Sequence, residues 1–192
     1  MSNSFFRYLY SYFLIILLSI LFILFSVIQI TEYNSNYIPS LDGEYVWPVP
    51  GYTYISSYFG YRNLPTTGAS TYHSGIDIPA PSGTNILSIC DGTVTFASWG
   101  AGGGYTIVIE NEEIKVTYCH VSPIFIVSRG DTIKAGQIIS TVGPKNVYGI
   151  NNNPYKDSEG NPTNGATTGS HLHLTIKKDE IPINPLDFYK LE

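Results

Sequence analysis

Between Arg7 and Glu32 the chain carries no Lys, Arg, Asp or Glu, and this run constrains folding more than any other feature. Within it, residues 13–30 read FLIILLSILFILFSVIQI, interrupted only by Ser19, Ser26 and Gln29. At helical rise that segment covers about 27 Å, close to the hydrocarbon thickness of a bilayer. A helix buried in a soluble core would carry a polar stripe, and none is visible. Tyr8, Tyr10 and Tyr12 precede the apolar stretch and Tyr33 follows it, where an aromatic belt would lie. The stretch is too long for a signal-peptide apolar region, and Ile-Gln-Ile-Thr-Glu-Tyr-Asn at 28–34 offers no A-x-A-like cleavage site. The expectation is an uncleaved anchor: a cytoplasmic N-terminus over 1–12, one transmembrane helix over 13–30, and the rest of the chain on the outer side of the cell membrane. Arg7 before the span and Glu32 after it set that orientation.

Residues 31–46 are mostly polar and read as a linker, leaving 47–192 as one compact domain. The net charge of −5 argues against nucleic acid as a partner, which would leave a basic footprint. Two cysteines, Cys90 and Cys119, exclude a disulfide-rich scaffold; they allow one bridge or two packed thiols, and the packed thiols are favoured. Beyond Tyr45 the apolar runs are short and broken by Gly, Pro, Asn and Asp. Strands are predicted at Ile86–Cys90, Gly92–Ala97, Tyr105–Glu110, Ile114–His120, Gln137–Val142 and Ser170–Lys177. No helical periodicity competes with them after the apolar segment. The predicted fold class is all-β, an antiparallel sandwich or open barrel. Gly100-Ala101-Gly102-Gly103-Gly104 reads as a flexible tight loop, without the Lys-Ser/Thr and following helix of a phosphate loop. Residues 144–169 are long, polar and turn-rich, which marks a functional or a disordered loop.

The four histidines are His73, His120, His171 and His173. His171 and His173 flank Leu172, so in a strand both imidazoles share one face. His73 and Asp77 lie four apart in HSGIDIP, where Gly75 and Pro79 disfavour a helix and an extended segment again puts both on one face. His120 ends a strand, with Cys119 pointing the opposite way. Each feature alone is most often bland: a surface histidine, a satisfied core histidine, a chance spacing. Two independent same-face pairs are a stronger signal. Three N/O ligands plus one open position make the composition of a catalytic zinc site, and neither cysteine is needed for it.

Several motifs occur in a fixed order: SYFGYR, then H-x-x-x-D in YHSGIDIPAPSGTNI, DGTVTFA, Y-x-H in TYCHVS, GDTIKAGQIISTVG, and H-x-H in TGSHLHLTI. In that order they resemble the M23 (LytM/lysostaphin-type) zinc metallopeptidases, from about Trp47 to Leu186. The resemblance implies a groove-bearing antiparallel β domain and a Zn²⁺ cofactor held by His73, Asp77 and His173. It implies catalytic roles for His120 and His171, and a peptidoglycan peptide, stem or cross-bridge, as substrate. Two positions depart from the family pattern. Cys119 stands where Y-G-H has glycine, and the acidic residue usual soon after H-L-H is absent. The 144–169 segment is a third departure, a loop expected to rim the groove and to narrow its substrate range or dock a protein partner.

The function this predicts is a membrane-anchored zinc endopeptidase that remodels nearby cell wall. Tyr105, Asn63 and Gly103 are candidates for holding the peptide backbone. A linker of some 15 residues reaches about 20 Å as a flexible coil and about 50 Å when extended. The alternative is an extracellular docking or scaffold module of the same type, in a sporulation, secretion or conjugation complex. Relatives of that kind often lose a ligand or a catalytic histidine, and here all five positions stand.

Overall fold

The computed structural model describes residues 11–24 and 45–189. The two parts belong to separate compact units, divided between Tyr37 and Ile38. Residues 11–24 form a helix with exposed side chains. Among the described residues no helix is long and apolar enough to cross a membrane. Residues 25–30 of the expected span, and most of the linker, lie outside the described residues.

The described residues of the second unit form eleven strands: β1 Gly60–Tyr61, β2 Tyr72–His73, β3 Ile76–Pro79, β4 Asn85–Leu87, β5 Gly92–Trp99, β6 Tyr105–Glu110, β7 Lys115–Cys119, β8 Thr132–Ile133, β9 Ile138–Thr141, β10 His171–Lys178 and β11 Ile181–Ile183. The main sheet runs β11-β10-β7-β6-β5-β8, and β3 also pairs with β10. β1 with β2, and β4 with β9, form two small sheets. Every pairing between these strands is antiparallel, as expected.

Alternation in the central strands sorts the two faces of the main sheet. Leu172, Leu174 and Ile176 of β10 are fully buried, as are Ile76 and Ile78 of β3, Val116 and Tyr118 of β7, and Ile107 and Ile109 of β6. Truncating one such side chain to alanine typically costs about 2–5 kcal/mol. The intervening residues of β10 and β3, among them His171, His173 and Asp77, face the other way. Tyr45 and Val46, assigned to the linker from sequence, are buried, and the Val46 amide donates to Ile89 O at 2.8 Å. The Tyr189 hydroxyl donates to Val46 O at 3.2 Å, and the Trp47 ring meets that of Tyr189 edge-on at 5.0 Å.

Both irregular segments are ordered by specific bonds. Residues 100–104 form a pinned turn instead of the flexible loop expected from their glycines. Gly100 N donates to Gly104 O, His120 N to Gly103 O and Ala166 N to Gly102 O. Gly104 has φ +63°, and a Cβ there would come within 2.3 Å of Asn164, so only glycine fits. The 144–169 segment folds around the Asp157 carboxylate, which accepts from Glu159 N, Asn161 N and Asn146 Nδ2 and pairs with Lys145 Nζ at 3.1 Å.

Candidate metal centre

The register of β10 places the polar face. His173 lies opposite Asp77 on one side and Cys119 on the other, so these three share a face of the sheet. His73 arrives from β2, after which the chain bends through Ser74-Gly75 into β3. A Cβ on Gly75 would come within 2.1 Å of Leu174 O, so the bend between His73 and Asp77 requires glycine. The predicted common face of His73 and Asp77 is thus achieved by two short strands meeting at a bend, not by one extended run.

His73 Nε2, Asp77 Oδ1 and His173 Nδ1 converge. The separations are 2.9 Å between the two nitrogens, 3.2 Å from His73 to Asp77 and 2.8 Å from His173 to Asp77. The remaining ring nitrogens are held from behind. His73 Nδ1 is 2.8 Å from Tyr58 O, a carbonyl that only accepts, so that nitrogen carries the proton and leaves Nε2 bare. His173 Nε2 is 2.9 Å from Thr175 Oγ1. With Nε2 donating to that hydroxyl, three lone-pair atoms face one point with no proton among them. Such a set is repulsive by itself and suits a cation. Two imidazole nitrogens and one carboxylate oxygen are the donors of a three-ligand zinc site with an open position. Among the described residues this is the group of His, Cys, Asp and Glu placed to hold an ion.

The second carboxylate oxygen, Asp77 Oδ2, accepts from Arg62 Nη1 at 3.0 Å, and the same Nη1 donates to Ser57 Oγ. Burial alone would raise the Asp77 carboxyl. The surrounding His171, His173 and His73 imidazoles outweigh it and hold Asp77 well below the usual carboxylate range. Burial pushes His173 below the ordinary histidine value against the pull of Asp77. Both effects favour the deprotonated forms that ligate metal.

His171 and His120 stand beside this group. His171 Nδ1 donates to Gly169 O at 2.9 Å, and its Nε2 lies 3.5 Å from Asp77 Oδ1. His120 Nδ1 donates to Asn164 O at 2.6 Å, and its ring centroid is 4.7 Å from that of His171. Both rings therefore turn Nε2 away from the backbone. Burial, then the neighbouring His171, pushes His120 down to about 3, so it stays neutral. His120 has φ +58°, a conformation that costs a non-glycine residue about 1–3 kcal/mol and clusters at functional sites. That bend corrects the expectation for Cys119: strand alternation ends there, and both Cys119 and His120 line the same cleft. The Cys119 thiol is pushed up to about 12 by burial, and both cysteines are free and buried.

The cleft has a volume of about 230 Å³. Arg62, Tyr72, Gly103 and Thr167 line it together with the four histidines and Asp77. Of the backbone-holding candidates, Gly103 is in the wall, whereas Asn63 is not among the lining residues. Tyr105 packs against Trp99 and Phe125, at ring distances of 5.3 and 5.9 Å. Ala166, Thr167 and Thr168 bring the 144–169 segment to the rim. Sequence reading missed Arg62, Thr175 and Asn164. The first had a signal, since it ends SYFGYR. Thr175 follows H-L-H closely, in the stretch where the family's usual acidic residue is absent. Asn164 gave none.

Residues 71–185 match peptidase family M23. The chain is 32% identical over 136 residues to the DD-carboxypeptidase/endopeptidase Mpg of Neisseria meningitidis, covering 70% of this chain and 27% of that protein. It is 32% identical over 133 residues to the peptidoglycan DD-endopeptidase ShyC of Vibrio cholerae, covering 68% and 26%. Its fold is similar to that of a zinc-containing peptidase from Vibrio cholerae, with a TM-score of 0.57 and 29% identity over 76% of this chain and 40% of that one. The chain thus spans only about a quarter of the length of these curated relatives. A match that takes in more than half of the sequence places the chain in peptidase family M23.

Proposed function

We propose that this protein is a zinc-dependent endopeptidase that cuts peptide stems or cross-bridges of bacterial peptidoglycan close to the membrane. The observation that carries the reading is the convergence of His73 Nε2, Asp77 Oδ1 and His173 Nδ1 beside the outward Nε2 atoms of His171 and His120. His73, Asp77 and His173 are the metal ligands in this reading. Zinc held there would supply Lewis acidity, lowering the pKa of a neighbouring water toward about 7 and polarising a peptide carbonyl. His171 takes the proton of the attacking water at Nε2 and passes it to the leaving amine. Its Nδ1 stays committed to Gly169 O throughout, which fixes the ring. His120, neutral and anchored through Nδ1, offers Nε2 as a hydrogen-bond acceptor that orients the water. Arg62 holds Asp77 Oδ2 and so fixes which oxygen faces the metal.

The substrate class is supported by relatives whose names include a peptidoglycan DD-endopeptidase. The charge-free run before Glu32 supports a single span over residues 13–30, with residues 1–12 inside and the peptidase domain outside. Such a tether confines the activity to nearby wall.

A digest tests the proposal. The full chain with zinc is incubated with peptidoglycan of several cross-bridge types, and released fragments are identified by mass spectrometry. Wild type is expected to create new peptide ends, and His73→Ala none. His171→Ala is expected to keep one zinc per chain while losing about 10²–10⁴-fold in turnover. No release from any wall, with zinc bound, would overturn the enzyme reading in favour of a metal-stabilised docking module presenting the 144–169 loop.

A further inference from the structure

Beside the cleft, the β1–β2 hairpin and the adjoining Phe59 carry a cluster of aromatic rings, two of them exposed. Tyr61 and Tyr72 are cross-strand neighbours with centroids 5.1 Å apart, and the Phe59 ring meets that of Tyr72 edge-on at 5.6 Å. Tyr61 is 89% exposed and Tyr72 38%. Tyr58 and Leu64 add further exposed surface from the same segment. Contiguous exposed patches of this kind mark interaction sites.

Three properties define what would cover it. First, the surface is uncharged. From Ser57 to Tyr72 the sequence SYFGYRNLPTTGASTY holds no acid, and its one base, Arg62, is turned inward onto Asp77 and Ser57. An anionic lipid surface or a charged peptide would find no counter-charge there. Second, the chemistry is phenolic and hydroxylic: apolar ring faces with hydroxyls at their ends, among Ser, Thr and Asn. That suits a polyol whose C–H faces stack on rings and whose hydroxyls bond to Tyr oxygens. Third, the cluster is continuous with the cleft, because Tyr72 lines the cleft and immediately precedes His73.

We infer that the Phe59–Tyr61–Tyr72 cluster is a carbohydrate subsite that takes the glycan strand carrying the peptide being cut. The inference rests on the peptidoglycan reading above, since a stem peptide entering the cleft brings its attached sugar to the rim. Stacking on Tyr61 and Tyr72 then holds the glycan while the stem crosses the candidate metal centre.

Binding of peptide-free glycan strands to the full zinc-loaded chain tests the subsite directly. Wild type is expected to retain the strands. Tyr61→Ala removes a ring that is almost wholly exposed and should weaken binding about tenfold. Tyr61→Phe keeps the ring and should retain most of the affinity. No binding by wild type, or equal binding by wild type and Tyr61→Ala, would overturn the inference. So would Tyr61-dependent binding to phosphatidylcholine vesicles without glycan binding, which would assign the cluster to a membrane surface. The assay contains no scissile peptide, so failure of hydrolysis and failure of this subsite are separately visible.

Discussion

The imidazole of His120 donates from Nδ1 to the backbone oxygen of Asn164 at 2.6 Å, joining positions 44 residues apart. Asn164 is itself fully buried, and both ends of its amide are bonded: Oδ1 accepts from Tyr105 N at 2.8 Å, and Nδ2 donates to Val121 O at 3.0 Å. Besides the residues it brings to the rim, the long loop therefore acts on the cleft through Asn164, which locks it to the chain at His120 and Val121. Asn164→Ala would leave a donor and an acceptor unpaired in the interior, at about 1–3 kcal/mol each. The expected result is a loss of about 2–6 kcal/mol in urea unfolding, with zinc still bound and turnover reduced. Unfolding within about 0.5 kcal/mol of wild type would contradict this account.

Thr175 gives a second test, on metal affinity. Its hydroxyl is the one protein group hydrogen-bonded to His173 Nε2 in the described structure. Groups that hold a ligating histidine from behind typically contribute 10–100-fold to affinity. Thr175→Val keeps the shape and removes the oxygen. It should weaken zinc binding by at least about tenfold in competition with a chelator of known affinity. An unchanged constant would mean that ring orientation is set by packing alone.

The parts of this centre that were legible in the sequence are those whose geometry is local. H-x-H works because β10 is a long, regular strand, and alternation there is strict from His171 to Leu174. β6, Tyr105–Glu110, is likewise recovered with its predicted bounds because its apolar residues form a compact run. Two-residue strands such as Gly60–Tyr61 and Thr132–Ile133 are too short to show any period. The turn of His120 into the cleft depends on a left-handed φ, which no pattern of residue types announces. Arg62, Thr175 and Asn164 reach Asp77, His173 and His120 through hydrogen bonds across 15, 2 and 44 residues. The first and last are set by tertiary packing, which a motif search does not see. The order of the loop was hidden for the same reason. Its composition reads as structureless, yet the Asp157 carboxylate and a set of backbone bonds order it.

That carboxylate sets the last expectation. Asp157 is held well below the usual carboxylate range, first by the Asn146 amide and then, against the opposing effect of burial, by Lys145 and Asn161. In the unfolded chain the group would titrate near its ordinary value of 3.8. Below that pH the unfolded chain takes up a proton that the folded one resists, so stability is present above about pH 4 and drains away as acid is added. Asp157→Asn abolishes this linkage and also sets an amide donor against Asn146 Nδ2 and Lys145 Nζ. Wild type should be the more stable protein at pH 6, by denaturant midpoint, and the gap should narrow from pH 4 downward. A gap of the same size at pH 3 and pH 6 would show that Asp157 does not hold the loop by its charge. The consequence reaches the cleft, because the segment that Asp157 organises delivers Asn164 to His120 and Ala166, Thr167 and Thr168 to the rim. Acid that loosens the loop should therefore lower turnover before the sheet unfolds.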